Sequence, residues 1–176
     1  MPHSQVIHTR GIKMPYCQLY YHFVWTTKLR RPLLTPKIEP IIYHYLRTKA
    51  VELGGLVYAL NGVEDHVHLV STVPPKLAVA TFIGQIKGAS STRFNKEYPA
   101  EDAFSWQREY GVFTFDKKRL PYLVRYANRQ KEHHANRATI PILERTDDDN
   151  CQTAVHEDVV QYLADEQTWW QEMQTL

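Results

Sequence analysis

His66 and His68, two positions apart, are the pair whose type and spacing most plainly suggest chemistry. They lie in Gly62-Val63-Glu64-Asp65-His66-Val67-His68-Leu69-Val70-Ser71-Thr72-Val73, which reads as a β-strand. Alternate residues of a strand face the same way, so His66, His68, Val70 and Thr72 share one face, and Val67, Leu69, Ser71 and Val73 the other. Two neutral imidazoles spaced about 7 Å along a strand can lean toward one divalent cation; the alternative is a pair of structural histidines. Tyr126 and Gln130 lie four apart in Leu120 to Lys131, a run that reads as a helix with Pro121 in its first turn. A tyrosine hydroxyl can be a nucleophile, and an amide oxygen can ligate a hard cation. Tyr122, one turn earlier, is the rival nucleophile among 11 tyrosines, and His133 and His134 are substitute ligands or bystanders. Asp65 either orients a histidine from behind or serves only as a turn residue.

The elements that must position these groups follow from periodicity. Cys17 to Thr27 sets Leu19, Tyr21, Phe23 and Trp25 against Gln18, Tyr20, His22, Val24 and Thr26, which predicts a strand. Thr35 is the expected N-cap of a helix starting at Pro36, carrying Ile38, Ile41, Ile42, Tyr45 and Leu46 at helical spacing and ending at Gly54-Gly55. Residues 56–61 read as a strand forming a hairpin with the histidine strand. Pro74-Pro75 ends that strand; a helix with Val79, Phe82, Ile83, Ile86 and Phe94 on one stripe follows. Gly84 and Gly88 weaken this helix but permit close approach of a backbone or a phosphate chain. After a polar loop over 97–108, Glu109 to Phe115 alternates as a fourth strand. The order β-α-β-β-α-β then α predicts an α+β fold: a ferredoxin-like split βαβ sandwich, with a four-stranded antiparallel sheet, helices on one face and further C-terminal helices.

The chain has 176 residues, 43% of them hydrophobic, which suits one domain with appendages. We expect an N-terminal arm over 1–15, the domain over 16–136, and an acidic linker with an amphipathic C-terminal helix over 137–176. No apolar run is long enough to span a membrane. Cys17 and Cys151 are too few for a disulfide scaffold, so a reducing cytoplasmic location is expected. The net charge of +2 conceals an asymmetry: residues 1–137 hold 20 Lys and Arg against 10 Asp and Glu, and residues 138–176 hold 1 against 9. A basic, aromatic-rich body suits a single nucleic-acid strand, whose phosphates pair with cations and whose bases stack on rings. The acidic tail either packs on the body or shields the basic surface.

Taken in order, four segments resemble the single-tyrosine HUH transposases, which mobilise insertion sequences of the two-hundred and six-oh-five groups as single-stranded DNA. They are Tyr21-His22-Phe23-Val24-Trp25-Thr26-Thr27-Lys28 followed by Arg30-Arg31-Pro32, then Glu64-Asp65-His66-Val67-His68-Leu69-Val70, then Ile86-Lys87-Gly88-Ala89-Ser90-Ser91, and last the tyrosine helix. The resemblance covers about residues 16 to 136 and implies the same ferredoxin-like fold. It further implies Tyr126 as nucleophile, His66, His68 and Gln130 as ligands of Mg²⁺ or Mn²⁺, and a 5′-phosphotyrosine intermediate. The expected partners are single-stranded DNA hairpins at element ends and a second copy of the chain, in a homodimer with composite active sites. Lys28, Arg30, Arg31, Lys87 and Arg93, in or near the matching segments, are the candidate phosphate contacts. The alternative is a domesticated or inactive relative that binds folded single strands without cutting them.

Overall fold

The computed structural model describes residues 16–101 and 103–146. The expected arm over 1–15, and the expected linker and C-terminal helix beyond Thr146, lie outside these residues. Four strands and five helices are described. They are β1 (Tyr20–Thr26), α1 (Glu39–Glu52), β2 (Val57–Gly62), β3 (His66–Thr72), α2 (Val79–Glu97), β4 (Gly111–Phe115), α3 (Leu120–Asn128), α4 (Gln130–Ala135) and α5 (Pro141–Glu144). Single 3₁₀ turns at Lys28–Arg30 and Lys117–Arg119 follow β1 and precede α3.

All strand pairs are antiparallel and the order is β2-β3-β1-β4, the ferredoxin-like arrangement expected from the element order. β1 and β3 are therefore central. Their alternation divides the sheet into two faces, as the pleat requires. Phe23, Trp25, Val67 and Leu69 point to one face, where α1 and α2 cover them with Ile42, Leu46, Phe82, Ile83 and Ile86. Burying each such side chain contributes roughly 1.5–3 kcal/mol, so this layer is the main core. On the other face a smaller cluster joins Ala59 and Val70 to Tyr122, Leu123 and Ala127 of α3. The tyrosine helix thus lies across the face that carries the histidines.

Several boundaries differ from expectation, each for a local reason. α1 begins at Glu39 with Pro40 in its first turn; Thr35 supports it through its backbone carbonyl, which accepts from Ile38 and Glu39, and not through a side-chain cap. Gly54, at φ 86°, stops the helix as expected. The single helix expected over 120–131 is broken at Arg129, whose N–H reaches back to the Arg125 and Tyr126 carbonyls. The Gln130 amide nitrogen then bonds the Tyr126 carbonyl at 3.4 Å. Around Gly84 and Gly88 an added Cβ would meet no atom within 4 Å, so these glycines serve no close approach among the described residues. Beyond residue 136 the chain returns over the body: Ile140 and Leu143 pack against the smaller cluster. Arg145 crosses so near Gly111 that a Cβ there would lie 1.9 Å from the Arg145 carbonyl oxygen.

Candidate active site

Both histidines of β3 are buried, and each is held from behind by a different partner. The His66 Nδ1 lies 2.6 Å from Asp65 Oδ1, whose other oxygen takes a 3.3 Å hydrogen bond from Arg30. The His68 Nδ1 lies 2.8 Å from His22 Nε2 on the neighbouring strand, where register sets Val24 opposite His68. This leaves both Nε2 atoms facing the same way. His66 Nε2 and His68 Nε2 stand 3.2 Å and 3.1 Å from one atom, Glu144 Oε2.

Tyr126 reaches this point from α3. Its ring stands edge-on to His68, with centroids 5.9 Å apart, and stacks on His133 at 4.8 Å. Its hydroxyl donates to Glu144 Oε1 and accepts from the Ile140 N–H at 3.0 Å. The nucleophile candidate and the histidine pair therefore meet at one carboxylate within a single chain. Asn61 of β2 donates to the Asn128 carbonyl at 2.5 Å and ties the end of α3 to the sheet.

The electrostatics follow from burial against charge. Burial lowers the pKa values of His22 and His68, outweighing the Glu144 charge, so both are neutral near pH 7, as cation binding requires. At His66 burial also favours the neutral form, but the Asp65 and Glu144 carboxylates outweigh it and raise the pKa. Burial alone would raise the Glu144 carboxyl; His66, His68 and Tyr126 overcome it and hold the group well below the usual carboxylate range. Burial first, then the Glu144 charge, pushes the Tyr126 phenol up, while the Ile140 N–H acts in the opposite sense.

The expected residues are placed unequally. Gln130 is fully buried, and its Oε1 meets no donor among the described residues. His134 stands by His66, and its Nε2 is 3.7 Å from Glu144 Oε2. One donor atom each from His66, His134 and Glu144 lies within 4.8 Å of the others, a spacing that could hold a metal ion. Tyr122 packs in the smaller core. Lys28 and Arg30 are exposed in the turn after β1, where Leu29 and Arg30 both take positive φ and Leu29 is 76% exposed. Arg31 is exposed beside them. Lys87 is instead buried; it donates to the Arg108 and Glu109 carbonyls at 2.9 and 3.0 Å and pins the loop before β4. Arg93 pairs with Glu97 and lies over the Tyr45 ring. A groove of about 610 Å³, lined by Arg30, Pro32, Glu39, Asp65 and Lys131 among others, runs beside Asp65.

His22, Ile140 and Glu144 are the members that sequence reasoning missed. His22 had a signal, since strand alternation sets it on one face with Val24 and Thr26. Glu144 had none: it meets His68 across 76 positions from a four-residue helix.

A ferredoxin-like sheet with a His-hydrophobic-His strand beneath a tyrosine-bearing helix is the architecture of the tyrosine transposases. The profile of the family described as "Transposase IS200 like" matches residues 15–130, and the chain belongs to that family. It is 28% identical over 120 residues to the ISDra2 transposase TnpA of Deinococcus radiodurans, covering 65% of this chain and 86% of that protein. It is 27% identical over 102 residues to the transposase for insertion sequence element IS200 of Salmonella typhimurium, covering 55% and 67%. A crystallised candidate transposase from Deinococcus radiodurans superposes with a TM-score of 0.53 at 26% identity, over 68% of this chain and 96% of that one. A REP-associated tyrosine transposase bound to a REP hairpin shares the fold with a TM-score of 0.52 at 16% identity, over 69% and 74%. Among the described residues no helix is long and apolar enough to cross a membrane.

Proposed function

We propose that this transposase cleaves and rejoins single-stranded DNA at insertion-sequence ends through a 5′-phosphotyrosine at Tyr126, with Mg²⁺ or Mn²⁺ held by His66, His68 and Gln130. The observation that carries the reading is the convergence of the Tyr126 hydroxyl and both Nε2 atoms on one carboxylate. A bound divalent cation would draw charge from the non-bridging oxygens of the scissile phosphate. The donor set suits it: two imidazoles turned the same way and an amide oxygen, Gln130 Oε1, buried without a donor among the described residues.

The rest is the work of the chain's own groups. Tyr126 attacks phosphorus as the bond to the 3′-oxygen breaks, and the covalent intermediate keeps the bond energy for rejoining, so no nucleotide triphosphate is needed. The Ile140 N–H is placed to stabilise charge developing on the phenol oxygen. Asp65 and His22 fix the ring orientations of His66 and His68. Lys28, Arg30 and Arg31 are the phosphate contacts of the proposal, and the groove between Arg30 and Lys131 is the path of a strand toward the site. Lys87 and Arg93, engaged with carbonyls and with Glu97, are assigned no such contact.

The proposed assembly is a homodimer with composite active sites, in which the tyrosine helix of one copy serves the histidine pair of the other; within one chain that helix already reaches the pair. The hairpin bound by the REP-associated neighbour supports folded single strands as the substrate class.

The test is cleavage of a labelled DNA hairpin with a single-stranded flank in the presence of Mn²⁺, alongside the same sequence as a full duplex. Cutting of the hairpin and not of the duplex is expected. Binding of the hairpin with no cutting under any divalent metal would overturn the enzymatic reading.

A further inference from the structure

Glu144 lies fourteen positions beyond the end of the family match at residue 130, yet its side chain occupies the centre of the site. The orientation of His66 makes this informative. Its Nδ1 is bonded to Asp65 Oδ1, which leaves Nε2 as the ring atom turned toward Glu144. That atom faces Glu144 Oε2 at 3.2 Å. His68 Nε2 stands 3.1 Å from the same oxygen. Ligand atoms bound at about 2.1 Å and at right angles around one cation are separated by about 3.0 Å, and at tetrahedral angles by about 3.4 Å. The observed separations fall between these values.

We infer that Glu144 is a carboxylate ligand, through Oε2, of the divalent cation held by His66 and His68. The assignment rests on the proposed reading of the histidine pair as a cation site and adds an anionic donor from a segment outside the family match. Two imidazoles and a carboxylate form a set suited to Mn²⁺ and Fe²⁺, and the added charge raises affinity over a site of neutral donors alone. The remaining oxygen, Oε1, holds the Tyr126 hydroxyl, so the same side chain fixes the phenol relative to the cation.

Mn²⁺ titration by calorimetry of the full chain, of Glu144→Gln and of His68→Ala tests this, with folding followed by circular dichroism. Glu144→Gln keeps the shape of the side chain and removes its charge; Mn²⁺ binding at least tenfold weaker is expected, and His68→Ala is expected to weaken it further. Unchanged or tighter binding in Glu144→Gln, with His68→Ala weakened, overturns the Glu144 assignment and leaves the histidine site standing. Unchanged binding in His68→Ala overturns the histidine site itself, and the assignment with it. Should Glu144→Gln fail to fold, the unmutated chain with ¹³C-labelled glutamate answers. A one-to-one shift of the Glu144 carboxyl resonance on adding diamagnetic Zn²⁺ supports ligation, and no shift at saturation overturns it.

Discussion

His22 Nε2 and His68 Nδ1 lie 2.8 Å apart, with both rings buried and only 16° from parallel. For His68 to offer Nε2 to a cation its own proton must sit on Nδ1, with His22 Nε2 as the acceptor in that state. His22→Phe removes the acceptor and keeps a planar ring. Groups that support a ligand in this way typically govern about 10–100-fold in metal affinity, and a loss of that size is expected for Mn²⁺, with partial recovery in His22→Gln. Mn²⁺ affinity equal to that of the unmutated chain in a folded His22→Phe variant would show that the contact is only packing.

Lys87 makes the loop before β4 sensitive to alkaline pH. Burial lowers its ammonium from the ordinary 10.5 to about 8. The unfolded chain therefore binds more protons between about pH 8 and 10.5, so this group adds stability as pH rises through that window, and the contribution is lost as pH falls through about 8. Urea unfolding of the unmutated chain and of Lys87→Met, compared from pH 7 to 10.5, should show the difference moving in favour of lysine as pH rises. A difference independent of pH would contradict this.

The turn after β1 should contribute to DNA affinity through charge. Each phosphate contact of a single strand adds about 0.7 to the slope of log affinity against log salt. Lys28→Ala and Arg30→Ala are each expected to flatten that slope by about 0.7 and to weaken binding similarly across sequences. Arg93→Ala, far along α2 and paired with Glu97, should leave the slope unchanged. Equal slopes for all three variants would remove the turn from the interface.

How much of this was legible in the chain depends on whether the signal was local. The period of two in β3 placed His66 and His68 on one face, and Val67 and Leu69 in the core, because alternation needs no knowledge of neighbours. The position of His22 beside His68 depends on β1 pairing with β3, a contact across 46 residues that no local pattern encodes. Lys87 reads as a candidate phosphate contact from its charge and its place in a matching segment; only the folded loop supplies the two carbonyls that make its burial tolerable. The break at Arg129 carries neither glycine nor proline to announce it. Glu144 sits in a stretch that reads as the start of an acidic tail, and its role emerges only where Arg145 passes over Gly111.

Tyr126 as the covalent nucleophile is the central claim, and peptide mass spectrometry of the chain after reaction with a DNA hairpin and Mn²⁺ addresses it directly. The account predicts a nucleotide-phosphate adduct on the peptide carrying Tyr126, assigned to that residue by fragmentation and absent in Tyr126→Phe. An adduct on Tyr122 or another residue, or one that persists in Tyr126→Phe, would contradict it.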